Sequence, residues 1–407
     1  MKRDTPHHKP YRILVLVHTD WDYGREIVQA VRHYAFTTGR MEVGNVKLQE
    51  GIELRQMVVR QKVDGIIAVV RSRAVEAEMM QLGIPVVNIS NVLNPTLLPL
   101  VTQEDCEAGK LAATHLLSLG CTTLAYWGQK DARFSQQRIE GFLEEIKRRD
   151  PSVRCIGGGG RSLAQDEGEP LLSQMRPWLK KLPPKTGVFA VLDPFALHLL
   201  QVAREIGKHV PEDIAVMGAG DDCFWVNFEN IPLTSVRLPF WKIGVAAATL
   251  LDELITARAA PAKRRREPSA EGFSGNQPPV RYLPVTEVAV RQSTDVLFAD
   301  DGALSKAITY IRTNAAKSIY VPDVVRASGI SRSGLQRRFA QFLKRSILEE
   351  IQNARVERIK TLLRSSDMKI TEIAEACDFP NTPRMHVLFR QCTGQTPSQY
   401  RKEFQKR

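Results

Sequence analysis

Six short apolar runs punctuate the first 220 residues: 13–17 (ILVLV), 64–70 (DGIIAVV), 84–90 (IPVVNIS), 123–128 (TLAYWG), 187–193 (GVFAVLD) and 214–220 (IAVMGAG). Each is too short and too uniformly apolar for an amphipathic helix, and reads as a strand buried on both faces. Between the runs, apolar positions recur at helical spacing. Over 24–36, Ile27, Val28, Val31 and Tyr34 share a face, and over 104–119 Leu111, His115 and Leu119 do the same. Alternating strands and helices predict parallel sheets covered by helices, here enough elements for two lobes.

From 303 onward the pattern is helical throughout, and it repeats. VVRASGISRSGLQRRF (324–339) and IAEACDFPNTPRMHVLF (373–389) align with one extra residue in the second copy, setting Gly329 against Asp378 and Phe339 against Phe389. Each copy predicts a short helix, a tight turn, a capping residue (Ser331 or Asn381) and a second helix. The turn visits the left-handed region, which Gly329 adopts freely and Asp378 tolerates at some cost. Between the copies, 346–364 predicts one long helix with Ile347, Ile351, Ile359, Leu362 and Leu363 facing inward. A single helix-turn-helix pattern is weak evidence for DNA binding; two copies are not. Upstream, 258–279 (RAAPAKRRREPSAEGFSGNQPP) reads as a solvated insertion loop rather than a DNA-contacting arm. The domains are therefore expected at 1–292 and 303–407, with a hinge at 293–302.

Charge separates the same two regions. Residues 303–407 hold 20 Lys and Arg against 9 Asp and Glu, whereas 1–302 hold 37 against 36. A neutral body joined to a basic domain points to a polyanion partner for the second domain alone, and double-stranded DNA is the expected one. No apolar run approaches the ~18 residues of a membrane span. The N-terminal TPHHKPYR is no apolar signal core, so a cytoplasmic protein without a membrane partner is expected. Six scattered cysteines, with neither CxxC nor histidine at ligand spacing, read as reduced thiols; no metal or other cofactor is expected. The GGGG at 157–160 lacks the Lys-Ser/Thr of a phosphate loop and reads as a flexible turn. No Ser-His-Asp arrangement at family-like spacing appears, so no enzyme is expected.

Ligands of doubly wound sheets sit beyond the carboxyl ends of strands. The segments there carry Tyr23 and Arg25, Phe134 and Arg138, Asp193, and Asp221. Carboxylates and guanidinium groups hydrogen-bond vicinal hydroxyls in both directions, and aromatic rings cover a sugar's apolar face. These six residues are the expected ligand-binding set, for a small sugar-like effector.

Segments 101–128, 138–142 (RIEGF), 187–222 and 233–254 resemble the periplasmic-binding-protein-like effector domain of LacI/GalR repressors, over about residues 11–290. The resemblance implies a ligand-binding role for Arg138 and an acidic position at Asp193. The chain departs from that family at two carboxylates, where Gly24 and Gly220 stand, and the family's N-terminal DNA-binding headpiece does not precede the first strand. Segments SGISRSGLQRRF, ITEIAEACDFP and GQTPSQYRK resemble the AraC/XylS-type DNA-binding domain over about 303–404. That resemblance implies two recognition helices in successive major-groove segments. The first presents Arg332, Ser333, Gln336 and Arg337; the second presents Asn381, Thr382, Arg384 and His386. Arg337 is suited to guanine and Gln336 to adenine, while Arg338, Lys344 and Arg390 suit phosphate.

The fusion resembles the arrangement of xylose operon regulators. It implies an α/β fold, with a two-lobed periplasmic-binding-protein-like doubly wound domain followed by an all-α double helix-turn-helix domain. The function implied is a sequence-specific transcription regulator, an activator controlled by xylose or a related sugar, working as a homodimer with RNA polymerase as a further partner. The alternative is a ligand-independent regulator whose first domain only dimerises.

Overall fold

The computed structural model describes residues 9–46, 54–160, 169–222, 226, 231–259, 278–296, 298, 302–343, 345–366 and 368–405. The body contains two six-stranded sheets. The first lobe orders its strands β11-β5-β4-β3-β1-β2, and the second β12-β10-β9-β8-β6-β7. In the first lobe these are β1 (Tyr11–Leu16), β2 (Met41–Val46), β3 (Gly65–Ala68), β4 (Val86–Asn88), β5 (Leu100–Gln103) and β11 (Val280–Leu283). In the second they are β6 (Thr123–Gln129), β7 (Arg154–Gly160), β8 (Thr186–Ala190), β9 (Ile214–Gly220), β10 (Thr234–Arg237) and β12 (Glu287–Ala289). All pairings are parallel except β10 with β12. The six apolar runs became β1, β3, β4, β6, β8 and β9, and β3 and β8 are buried at every position, as a sheet covered on both faces requires.

The glycine run at 157–160 is a correction. It is not a flexible turn but the end of edge strand β7, in parallel register with Tyr126 to Gln129 of β6. A Cβ on Gly158 would lie 2.6 Å from the Trp178 ring and 2.8 Å from that of Trp127, so the missing side chains make room for packed indoles. Composition alone reads such a run as loop, because the partners that make it a strand are distant in sequence.

Helices cover the sheets: α1 (Asp22–Thr38), α2 (Leu54–Gln61), α3 (Arg73–Met80) and α8 (Phe240–Ala259) in the first lobe, α4 (Asp105–Ser118), α5 (Arg133–Arg149), α6 (Glu169–Lys180) and α7 (Asp193–Glu205) in the second. The chain crosses between lobes three times, after β5, after β10 and between β11 and β12. Segment 292–296 stays with the second lobe: Ser293 and Thr294 are fully buried, and Thr294 bonds both His115 and Thr234. Phe298 is buried too, its amide donating to Leu119. The segment expected as the hinge therefore begins on the body. Most of the 258–279 insertion lies outside the described residues. No helix among the described residues is long and apolar enough to cross a membrane.

Among the described residues seven α-helices follow: α9 (Gly302–Thr313), α10 (Val321–Ser328), α11 (Arg332–Arg338), α12 (Ile347–Ser365), α13 (Ile370–Ala376), α14 (Thr382–Thr393) and α15 (Pro397–Gln405), with a π-helical turn at Phe339–Leu343. They form two units with separate cores. Leu304, Ile308, Leu335 and Phe339 centre the first, and Ile359, Ile373, Met385 and Phe389 the second. Helix α12 is the shared member, contributing Ile347 and Ile351 to one core and Ile359 and Leu363 to the other. Its start is fixed by a capping box between Ser346 and Glu349.

Candidate functional site: an inter-lobe cleft and two recognition helices

Helices α4 and α5 meet backbone to backbone. A Cβ on Gly109 would fall 1.9 Å from the Arg138 carbonyl oxygen, and one on Gly141 would fall 2.0 Å from that of Cys106. Only glycine permits this approach. It brings Arg138, 2% exposed, onto Asp105: Nε donates to Oδ1 at 2.8 Å, and Nη1 donates to the Val191 carbonyl at 2.6 Å. The guanidinium lies 5.0 Å from the Phe134 ring centre. Asn91 of the first lobe donates to Asp105 at 2.8 Å and to Gln137 at 2.7 Å, while its carbonyl accepts from the Phe134 amide.

The opposite wall is built from the start of α1. Arg25 donates to Asp22 at 2.7 Å and lies 3.6 Å from Asp222 of the second lobe. The Asp22 amide donates to Asp222 at 2.6 Å. Asp193, 1% exposed, accepts from Ser235 at 2.5 Å and from the Asp222 amide at 3.2 Å. Burial pushes its carboxyl up to about 6, with the Asp221 charge adding to the effect. Tyr23 donates to the Ile89 carbonyl at 2.7 Å and stacks edge-on against Phe240.

Six of these contacts, joined by the short chain segments 89–91, 191–193 and 23–25, trace a ring between the lobes: Tyr23 to Ile89, Asn91 to Phe134, Phe134 to Arg138, Arg138 to Val191, Asp193 to Asp222, and Asp222 to Arg25. Five of the six expected ligand residues lie on it. Asp221 lies behind it, its carboxylate held by Arg237 at 2.5 Å and Arg291 at 2.6 Å. The two glycines at expected carboxylate positions have steric causes. A Cβ on Gly24 would lie 1.8 Å from the His18 carbonyl oxygen. Gly220 has φ +146°, and its Cβ would lie 2.8 Å from Asp193 Oδ2. Asp22 and Asp222, two residues away in each case, bring carboxylates to the ring, both beside Arg25. Asp22 and Asp222 lie in the strand-end segments that the sequence marks as the candidate pocket, though outside the expected ligand set; Asn91 and Asp105 carried no such signal.

A line of ion pairs leaves the floor of the ring. Arg237 also binds Glu287 at 2.8 Å. The other oxygen of Glu287 accepts from the Tyr400 hydroxyl of α15 at 3.0 Å and lies 3.8 Å from Lys360 of α12. Arg312 of α9 pairs with Asp295 at 2.6 Å.

In the C-terminal domain, Ser331 caps α11 and Asn381 caps α14, each accepting an amide bond from the residue three positions on. Gly329 and Asp378 both take left-handed turns, at φ +73° and +52°. Arg332, Ser333, Gln336 and Arg337 are exposed along α11. On α14, Arg384 is exposed and Thr382 half-buried, while the Nε2 of His386 is buried with no hydrogen-bond partner among the described residues. The exposed face of α14 continues through Val387 and Gln391. Of the expected phosphate contacts, Arg390 is exposed and Arg338 half-buried; Lys344 lies outside the described residues.

Comparison with known proteins agrees with both halves. A periplasmic binding protein-like domain matches 113–275, the periplasmic binding protein and sugar-binding domain of the LacI family matches 23–150, and a helix-turn-helix domain matches 324–403. The chain is 27% identical over 401 residues to the xylose operon regulatory protein of Escherichia coli strain K12, covering 97% of each, and 26% identical to that of Haemophilus influenzae, covering 96% and 98%. A solved xylose-binding transcription activator superposes with TM-score 0.59 at 25% identity over 97% of this chain and 98% of its own. The fold alone is shared with a ribose-bound LacI family regulator from Enterococcus faecium, at TM-score 0.54 and 23% identity over 70% of this chain and 98% of that one. This is a transcription regulator in which a LacI-type ligand-binding domain precedes an AraC-type helix-turn-helix DNA-binding domain. Over nearly its whole length it is a homologue of the xylose operon regulatory proteins.

Proposed function

We propose that a small sugar, xylose or a close relative, binds between the lobes and controls sequence-specific DNA binding by the C-terminal domain. The observation that carries this reading is the ring of carboxylates, guanidinium groups and aromatic rings between the lobes, joined by ion pairs to the DNA-binding domain. Hydroxyl groups accept from Arg25 and Arg138 and donate to Asp193 and Asp222, and Tyr23 and Phe134 cover the apolar face. Arg332, Ser333, Gln336 and Arg337 read one major-groove segment, and Asn381, Thr382 and Arg384, with His386 in a packing role, serve the next. The relatives' names support a xylose effector, and the activator among them supports activation. A homodimer that works with RNA polymerase completes the proposal.

Glu287 carries the signal. It is gripped on one side by Arg237, which also holds Asp221 beside the ring, and on the other by Tyr400 and Lys360. A ligand changes DNA affinity only through differential binding to two states, and this residue touches both halves. The test is a thermal-shift screen of pentoses, followed by operator titration with and without the responding sugar. Xylose is expected to raise the melting temperature. The Glu287→Gln variant keeps sugar affinity and loses the sugar's effect on DNA. No shift with any sugar returns the reading to a ligand-independent regulator.

A further inference from the structure

The two helix-turn-helix units have separate cores and are joined by the rigid helix α12, and a second tie between them lies at the turn before α14. At the second turn, where the first copy has Gly329, stands Asp378 with φ +52°. A residue with a side chain is costly there, yet this side chain reaches out of its own unit. Asp378 Oδ2 accepts from the Ser318 amide at 2.7 Å, and its carbonyl accepts from the Ser318 hydroxyl at 2.7 Å. Ser318 belongs to the connection between α9 and α10, in the first unit.

Arg355 of α12 closes the same junction. Its Nη2 donates to the carbonyls of Cys377 and Asp378 at 2.8 and 3.2 Å, and its guanidinium lies 3.9 Å from the Phe379 ring centre. The clamp lies beside a groove of about 440 Å³, whose walls include Tyr320 on one side and Arg384 and Val387 of the second recognition helix on the other. The turn that aims the second helix is thus bonded directly to the first unit.

We propose that Asp378, acting through Ser318 and with Arg355, is a positioning residue that fixes the spacing between the two DNA segments the protein accepts. This rests on the reading that both α11 and α14 enter the major groove. A rigid pair of helices tolerates one separation: each added base pair moves the second segment by about 3.4 Å and turns it by about 34°. A glycine at the turn would keep its conformation without strain and lose the carboxylate bond, loosening the junction while the bonds to the 377 and 378 carbonyls remain.

The experiment is selection of bound sequences from random DNA by the full-length protein. The affinity of wild type and variants is then measured on the selected site and on versions with one base pair added or removed between its two segments. Wild type is expected to lose about tenfold or more on the altered sites, and Asp378→Gly less than about threefold, while both bind the parent site comparably. Asp378→Asn keeps an acceptor oxygen and tolerates the turn, so it should retain the wild-type spacing preference. If Asp378→Gly discriminates against altered spacing as strongly as wild type, the proposal is overturned. A selected motif with only one segment overturns it too, while DNA reading by the domain stands. Recovery of no motif removes both.

Discussion

In the cleft, Arg138 and Asp193 are 2% and 1% exposed, and each is bonded to two or more protein groups. On α11, Arg332, Gln336 and Arg337 stand in solvent, and their side chains make no hydrogen bond or ion pair among the described residues. The same chemical groups are thus held in opposite ways. Cleft residues are part of the architecture, and their removal is expected to cost folding as well as the proposed sugar binding. Helix-face residues contribute little to the fold, which leaves them adjustable to a DNA sequence.

The largest effect that can break this contrast is salt. Raising it from ~50 to ~200 mM should weaken DNA binding by ~10³–10⁵ if six to ten phosphates are contacted, measured by fluorescence anisotropy, with little change in sugar affinity. Salt-insensitive DNA binding would remove the electrostatic half of the comparison.

Next is Arg138→Ala. It strands the Asp105 carboxylate in the interior, so a loss of ~3–5 kcal/mol in urea unfolding is expected beside lost sugar binding. Unchanged stability would show that the cleft is not architectural. Arg337→Ala should leave the urea midpoint in place and cost ~1–3 kcal/mol on the selected site, with little loss on random DNA. Equal loss on both would make Arg337 a phosphate contact.

The smallest effect is in pH. Asp193, pushed up to about 6 by burial, accepts hydroxyl hydrogen bonds best when ionised, so sugar affinity should rise as pH climbs through about 6. The sign for folding is opposite. Its raised pKa favours the folded state below the ordinary carboxylate value of 3.8, and this contribution is lost as pH rises through about 6. Calorimetric titration of wild type and Asp193→Asn between pH 5 and 8 tests the first point, and a flat wild-type profile would assign Asp193 to structure alone.

The strands were legible because burial on both faces leaves an unbroken apolar run, and the duplicated helical domain because its turn, cap and core residues recur in order. Residues whose meaning depends on a distant partner were not. Asp105 looks like a helix-start acid until Gly109 and Gly141 bring α5 against it. Asp222 looks like the second half of an acidic pair until φ values of +146° at Gly220 and +62° at Asp221 turn it to the first lobe. The resemblance implied His386 on the DNA face; core packing of Met385 and Phe389 sets the rotation of the helix, and the Nε2 of His386 is buried. The carboxylate at 378 was legible as a departure from glycine, but not as a bond to Ser318, sixty residues away.

The three strand connections between the lobes give the DNA-binding domain's anchorage a mechanical sense. Glu287 and Asp295, which hold it, both belong to the second lobe, and Glu287 lies just past the third connection. Among the described residues these contacts tie the domain to the second lobe. If two copies associate through their first lobes, a small change in cleft angle works as a lever, swinging each DNA-reading pair through an arc much longer than the movement at the sugar. The separation of two operator halves could then be gauged by a closure measured, at the cleft itself, in fractions of a sugar ring.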